Sequence, residues 1–186
     1  MASRTQLVCL CEGERGRSID EVFINRLMKS LEPSWLRRSG SNAVRLVACG
    51  SRTDVIKRMP AELRACLAAG GETTLMVWAD CDHDCADPVA LREKFWEEAQ
   101  AQGITRAQFE TVVFALPKDR LENWIEALQT GGTDESREGP RVGNNREASE
   151  AAKKLAKFCK TRGDVSLPPS LVWTCQNWHG LVERMR

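Results

Sequence analysis

Residues 74–84, TLMVWADCDHD, contain the strongest strand pattern in the sequence, followed at once by a group of acidic residues. The β-branched, aromatic and long apolar side chains of 74–79 favour an extended strand. A second apolar run, 6–11 (QLVCLC), has no alternation of polar residues, which is typical of a strand buried on both faces of a parallel sheet. The two runs together predict a sheet whose interior strands end in carboxylates.

Helical patterns separate the predicted strands along the chain. Further strands are predicted at 44–48 and 111–116, and Ser18 with Glu21 has the capping-box spacing that begins a helix. Pro60 is expected to begin a helix over 61–69. Other helices are predicted at 87–102, 119–128 and 146–161 and after the proline pair 168–169. Such alternation predicts an α/β fold: a Rossmann-like, mostly parallel sheet of about four strands, with helices on both faces and further C-terminal helices.

The length of 186 residues fits one domain of ordinary size. We expect an α/β core over 1–129 and a C-terminal helical extension over 146–186 that packs on this core. Between them, 130–145 is rich in Gly, Thr, Ser, Asn and mixed charge, a composition that predicts a flexible loop.

The overall composition is that of a globular protein, with 28% charged and 42% hydrophobic residues. No apolar run approaches the roughly 18 residues that span a bilayer, and the first residues do not resemble a signal peptide. We therefore expect a cytoplasmic protein with no membrane partner. The eight cysteines are expected to be reduced and mostly buried, with Cys9 and Cys11 on opposite faces of the first strand.

Acidic residues follow two of the predicted strands, at the point where ligands bind in open parallel sheets. Glu12 follows the first strand, and Asp80 and Asp82 follow the third. Alternation along an extended segment would place Asp80 and Asp82 on the same side. Mg²⁺ prefers oxygen ligands and is usually held by one or two carboxylates together with water and substrate phosphate. The pattern therefore predicts a magnesium site.

The order of these elements resembles the TOPRIM domain of topoisomerases, bacterial primases and OLD-type nucleases. The resemblance covers about 6–116 and rests on an apolar strand, Glu12-Gly13, an amphipathic helix and a later apolar strand closed by Asp80-x-Asp82. It implies a metal-dependent reaction at nucleic-acid phosphodiesters, with Mg²⁺ or Mn²⁺ held by Glu12, Asp80 and Asp82 as the catalytic residues. Since the additional domains of topoisomerases and primases are lacking, it points to a nuclease or a nuclease subunit.

A weaker resemblance lies after the fourth strand. The segment 121–124 (LENW) is similar to the acid-plus-aromatic segment of small TOPRIM-like proteins from phage-defence systems, which implies that Glu122 is a further metal ligand. Small size and weak net charge suggest that a larger partner, such as an ATPase subunit, supplies substrate binding. The alternative hypothesis is a non-catalytic TOPRIM-fold subunit that serves in assembly with a partner protein.

Each candidate residue also has a plainer interpretation. Acids after strands are often solvated loop residues, Glu122 fits an exposed helix position, and Trp124 fits a packed core face. The run Cys81, His83, Cys85 suggests zinc, but zinc sites usually draw on two separated ligand pairs and the sequence has no second pair.

A row of lysines forms the candidate nucleic-acid surface. Lys153, Lys157 and Lys160 lie in one broad stripe of the predicted helix 146–161, with Lys154 beside it, and such stripes contact DNA or RNA phosphates without distinguishing bases. The alternative is the solvated face of an amphipathic helix, which is the commoner case.

Overall fold

The computed structural model describes residues 6–14, 16, 18–31, 43–70, 73–142, 144–161 and 166–184. In this part of the chain, the strands are β1 Leu7–Cys11, β2 Val44–Ala48, β3 Thr74–Trp78 and β4 Val113–Ala115. They form one sheet in the order β2-β1-β3-β4, and every neighbouring pair is parallel. The predicted α/β fold with a parallel sheet is therefore confirmed.

Helices cover both faces of the sheet. Their bounds are α1 Ile19–Leu31, α2 Arg52–Ala69, α3 Pro88–Ala101, α4 Arg106–Phe109, α5 Leu121–Thr130, α6 Asn145–Thr161 and α7 Pro169–Arg184. One face is packed by α1, α5 and α6, and the other by α2, α3 and α4.

Alternation along the central strands divides the core into two clusters. Val8 and Leu10 of β1 belong to the cluster beneath α2 and α3, whereas Cys9 and Cys11 both belong to the cluster beneath α1 and α5. The expectation that the two cysteines point to opposite faces is wrong, because residues two apart in a strand share a face. Both thiols are buried and unpaired by any disulfide.

The helix α2 is longer than its sequence predicts. It begins at Arg52, where the Ser51 side chain accepts a hydrogen bond from Asp54 N at 3.2 Å, and it continues through Pro60 to Ala69. The expectation that Pro60 begins the helix is therefore wrong. Burial of Val55, Met59 and Leu63 on one face offsets the hydrogen bond that an internal proline removes.

The C-terminal helices are part of the same core. Ala151, Ala152 and Leu155 of α6 are buried in the cluster that contains α1 and α5. The helix α7 lies along β4, where Thr174 Oγ1 accepts a hydrogen bond from Leu116 N at 3.3 Å. Within the described chain, no helix is long and apolar enough to cross a membrane.

The described residues between α5 and α6 form no helix or strand, but the buried side chain of Asn123 holds part of this segment. Asn123 Nδ2 donates to Asp134 O at 3.3 Å and to Arg137 O at 2.9 Å, and Asn123 Oδ1 accepts from Gly139 N at 3.1 Å. A Cβ atom added at Gly139 would lie 2.8 Å from Asn123 N. These contacts hold the backbone of the segment through Asn123. The predicted flexibility of 130–145 is tested by its rates of amide hydrogen exchange.

Candidate metal site

The first acid, Glu12, lies in a tight turn between β1 and α1. Gly13 has a φ of +90°, and a Cβ at this position would lie 2.5 Å from Ser18 Cβ. Ser18 caps α1 by accepting a hydrogen bond from Glu21 N at 3.2 Å. The close approach of the turn to the helix cap therefore requires glycine after Glu12. This turn sets the position of Glu12 at the end of β1.

Glu12 and Asp80 lie at the carboxyl ends of neighbouring strands, as the sequence predicts. The pairing of β1 with β3 places Cys11 opposite Trp78, and Glu12 Oε1 accepts a hydrogen bond from Asp80 N at 2.9 Å. This bond uses one oxygen of the Glu12 carboxylate to hold the chain directly after β3.

The electrostatic environment of this pair is strongly unfavourable to charge. Burial raises the pKa of Asp80 well above its ordinary value, and the neighbouring carboxylates of Asp20, Glu12 and Glu122 raise it further. Burial likewise raises the pKa of Glu12 to about 7, against the opposing effect of the hydrogen bond from Asp80 N. Burial and the neighbouring negative charges therefore disfavour the ionised forms of these acids, and a bound cation would favour them.

Two helix termini complete the acidic cluster, which we define as Glu12, Asp20, Asp80, Asp82 and Glu122. Burial raises the pKa of Asp20 to about 6, and the charges of Glu122 and Glu21 add to this. Glu122, predicted as a further ligand, thus lies near enough to affect both Asp20 and Asp80. Sequence reasoning missed Asp20, because an acid in the first turn of a helix is ordinary and favoured by the helix dipole.

Asp82 differs from its expected conformation. Its φ of +51° is left-handed, and it is the one non-glycine residue with positive φ among those described. The segment is therefore not extended through Asp82, and simple alternation from Asp80 does not place its side chain. The Asp82 carboxylate is 44% exposed and lies 3.2 Å from Arg52 Nη1, yet its charge still raises the pKa of Glu12.

The neighbouring Cys81, His83 and Cys85 do not act together. Cys81 and Cys85 are buried in the cluster beneath α2 and α3, and burial raises the pKa of the Cys81 thiol. His83 is exposed, and its Nδ1 lies 3.4 Å from Oδ1 of the buried Asp119. This separation of two thiols from the imidazole argues against the zinc interpretation.

Among the described residues, no three His, Cys, Asp or Glu side chains already form a group that could hold a metal ion. Glu12 is bonded to Asp80 N, and Asp82 is paired with Arg52. The chemistry of the donors nevertheless fits a hard divalent cation, since the carboxylates of Glu12, Asp20 and Glu122, from three other elements, all raise the pKa of Asp80. Side-chain rotations would be needed to bring them to ligand distance.

The predicted lysine row is exposed on α6. Lys153, Lys154 and Lys157 are all on the solvent side of a helix whose alanines face the core. The charges of Lys153 and Lys154 help to lower the pKa of Glu150, which shows that acids share this surface. The row is accessible to a polyanion, and equally fits a solvated helix face.

The fold and the cluster define an α/β protein with carboxylates gathered at the carboxyl edge of a parallel sheet. Comparisons with protein-family models, with curated proteins and with solved structures found no match. The resemblance to TOPRIM domains therefore depends on the motif residues and their order in the chain.

Proposed function

We propose that this protein is a TOPRIM-type nuclease, or the nuclease subunit of a complex, that uses Mg²⁺ or Mn²⁺ to cleave nucleic-acid phosphodiesters. Glu12, Asp80 and Asp82 would hold the ion, with Glu122 and Asp20 as additional carboxylates. The observation that supports the proposal most is the environment of Asp80, whose pKa is raised by burial and by four other acids. A group of carboxylates in a buried position is unfavourable for folding, and such groups are enriched at functional sites.

The carboxylates would have different roles in this site. Asp80 occupies the most desolvated position, which suits a permanent ligand. Glu12 uses Oε1 for Asp80 N, so its second oxygen is left for the ion or for the proton of an attacking water. A bound divalent ion would supply polarisation of the scissile phosphate and a lowered pKa of that water.

The substrate would be DNA or RNA, with Lys153, Lys154 and Lys157 as phosphate contacts. Lysines of this kind add affinity without base preference. The formal net charge of +1 suits a chain that receives its substrate with help from a larger partner, such as an ATPase subunit. A role as the effector of an anti-phage system follows from the resemblance of 121–124 and belongs to this proposal.

A cleavage assay with single-stranded and double-stranded DNA and RNA tests the proposal. We expect products with Mg²⁺ or Mn²⁺, none with chelator, and a loss of orders of magnitude in Asp80→Asn. Glu14→Gln is the matched control, because Glu14 lies two residues after Glu12 and is exposed. If neither the isolated chain nor its complex with a partner cleaves, the non-catalytic assembly role is favoured instead. Full activity in Asp80→Asn would show that the cleavage does not depend on this acidic cluster.

A further inference from the structure

Arg52, a residue that the sequence patterns do not single out, reaches across the sheet edge into the acidic loop after β3. It is the first residue of α2, and its side chain is only 17% exposed. Arg52 Nη2 donates to both carboxylate oxygens of Asp84, at 2.6 and 2.7 Å. Arg52 Nη1 donates to Cys81 O at 2.5 Å and to Asp80 O at 3.2 Å. The guanidinium group is therefore held by four hydrogen bonds.

The contact between Arg52 and Asp82 is additional to these four. Asp82 Oδ2 lies 3.2 Å from Arg52 Nη1, which already donates to two carbonyl groups. The Asp82 carboxylate is also 44% exposed, so it is free to rotate toward solvent. Asp82 can consequently leave Arg52 while the guanidinium group stays in place.

We propose, building on the metal site described under the proposed function, that Arg52 is the internal counter-ion of Asp82 and that the divalent cation replaces it. On metal binding, Asp82 would turn from the guanidinium group to the ion. The guanidinium charge, no longer paired with Asp82, would then attract a phosphate of the nucleic-acid backbone beside the reacting phosphodiester. Arginine suits this role because its charge is permanent.

The proposed role of Arg52 predicts changes in Mg²⁺ and nucleic-acid binding that a purely structural role does not. Removing the charge of Arg52 removes a competitor of the cation, so Mg²⁺ should bind more tightly while nucleic acid binds more weakly. A unit charge a few ångströms from a divalent ion in largely solvated surroundings changes ion affinity on the order of tenfold. If Arg52 served only to hold the loop, removing its charge would weaken the binding of Mg²⁺ and of nucleic acid alike.

Titration calorimetry with MgCl₂ tests the inference without any need for activity. In Arg52→Gln we expect Mg²⁺ affinity to rise on the order of tenfold, whereas Arg52→Lys, which keeps the charge, should stay near the wild-type affinity. Arg58→Gln is the control, since Arg58 lies on the same helix and pairs with Glu62. Unchanged or weaker Mg²⁺ binding in Arg52→Gln, with binding still abolished in Asp80→Asn, would overturn the role of Arg52 and leave the metal site standing.

A second measurement covers the case in which Arg52→Gln fails to fold. The ¹⁵N signals of the Arg52 guanidinium group in the wild-type protein should shift on saturation with Mg²⁺, because Asp82 departs. The same signals should not respond in this way in Asp82→Asn. Absence of a shift in a wild-type protein that binds Mg²⁺ would refute the exchange, and absence of Mg²⁺ binding altogether would refute both the metal site and this inference.

Discussion

Neutralising Glu12 should stabilise the protein at alkaline pH when no divalent cation is present. The folded-state pKa of Glu12 is about 7, against a usual value of 4.5, with burial as the main cause. Between these two values the folded state keeps a proton that the unfolded state has lost, so the free energy of unfolding falls as pH rises through this window. The destabilisation of the folded state by Glu12 is therefore complete only above pH 7.

The size of the effect follows from the same values. The difference between the usual and the folded pKa corresponds to at most about 3 kcal/mol, at about 1.4 kcal/mol per pKa unit. Partial solvent access and coupling to Asp80 reduce this, so we expect about 1–3 kcal/mol. The variant Glu12→Gln keeps an oxygen that can accept the hydrogen bond from Asp80 N, and therefore removes the charge with little change of shape.

Denaturant unfolding in the presence of chelator, at pH 5 and at pH 8, measures this effect. Glu12→Gln should exceed the wild type in stability at pH 8 and approach it at pH 5, where the wild-type carboxyl is already protonated when folded. Glu14→Gln should have the stability of the wild type at both pH values, because Glu14 is exposed. Equal pH dependence in wild type and Glu12→Gln would show that Glu12 is not desolvated among other acids.

Three further predictions concern the turn, the loop and the lysines. Gly13→Ala should lower the free energy of unfolding by about 1–3 kcal/mol, measured by denaturation, because its Cβ would lie 2.5 Å from Ser18 Cβ at a left-handed φ; wild-type stability would contradict the tight turn. Amides of 130–145 should exchange hydrogen faster than those of the strands, and Asn123→Ala should quicken both exchange and proteolysis there. Protection equal to that of the strands would refute this. Replacing Lys153, Lys154 and Lys157 by Gln should weaken nucleic-acid binding for all sequences and flatten its salt dependence, with the Mg²⁺ response retained; an unchanged salt slope would mean a solvated face.

The parallel sheet and its neighbouring acids were predictable from local sequence patterns. Apolar runs mark β1 and β3, and the rule that ligands bind beyond the carboxyl ends of strands directs attention to Glu12 and Asp80. Their adjacency needs only β1 and β3 to pair, which the fold confirms. Pro60 misled the prediction of α2, since the packing of an entire helix face outweighed the local effect of one proline.

Other parts of the site depend on tertiary contacts that no local pattern contains. Arg52 follows a Gly-Ser pair after β2, and only the folded chain shows that it reaches a loop 28 residues later. Asp20 resembles an ordinary first-turn acid until burial beside Glu122 is seen. Asp82, whose φ is left-handed, donates a hydrogen bond from its backbone N to Asp119 O at 3.2 Å and pairs with Arg52.

The most direct test of the metal site is the change of melting temperature with Mg²⁺ in the wild type, Asp80→Asn and Asp82→Asn. A ligand stabilises a protein through its preference for the folded state, so the wild-type melting temperature should rise with Mg²⁺ concentration. Both variants should fold, with stability equal to or slightly above that of the wild type in chelator, because one of several repelling carboxylates is gone. We expect the Mg²⁺-dependent rise to shrink in both variants; equal rises in all three proteins, or none in the wild type, would contradict the metal site and the nuclease function proposed from it.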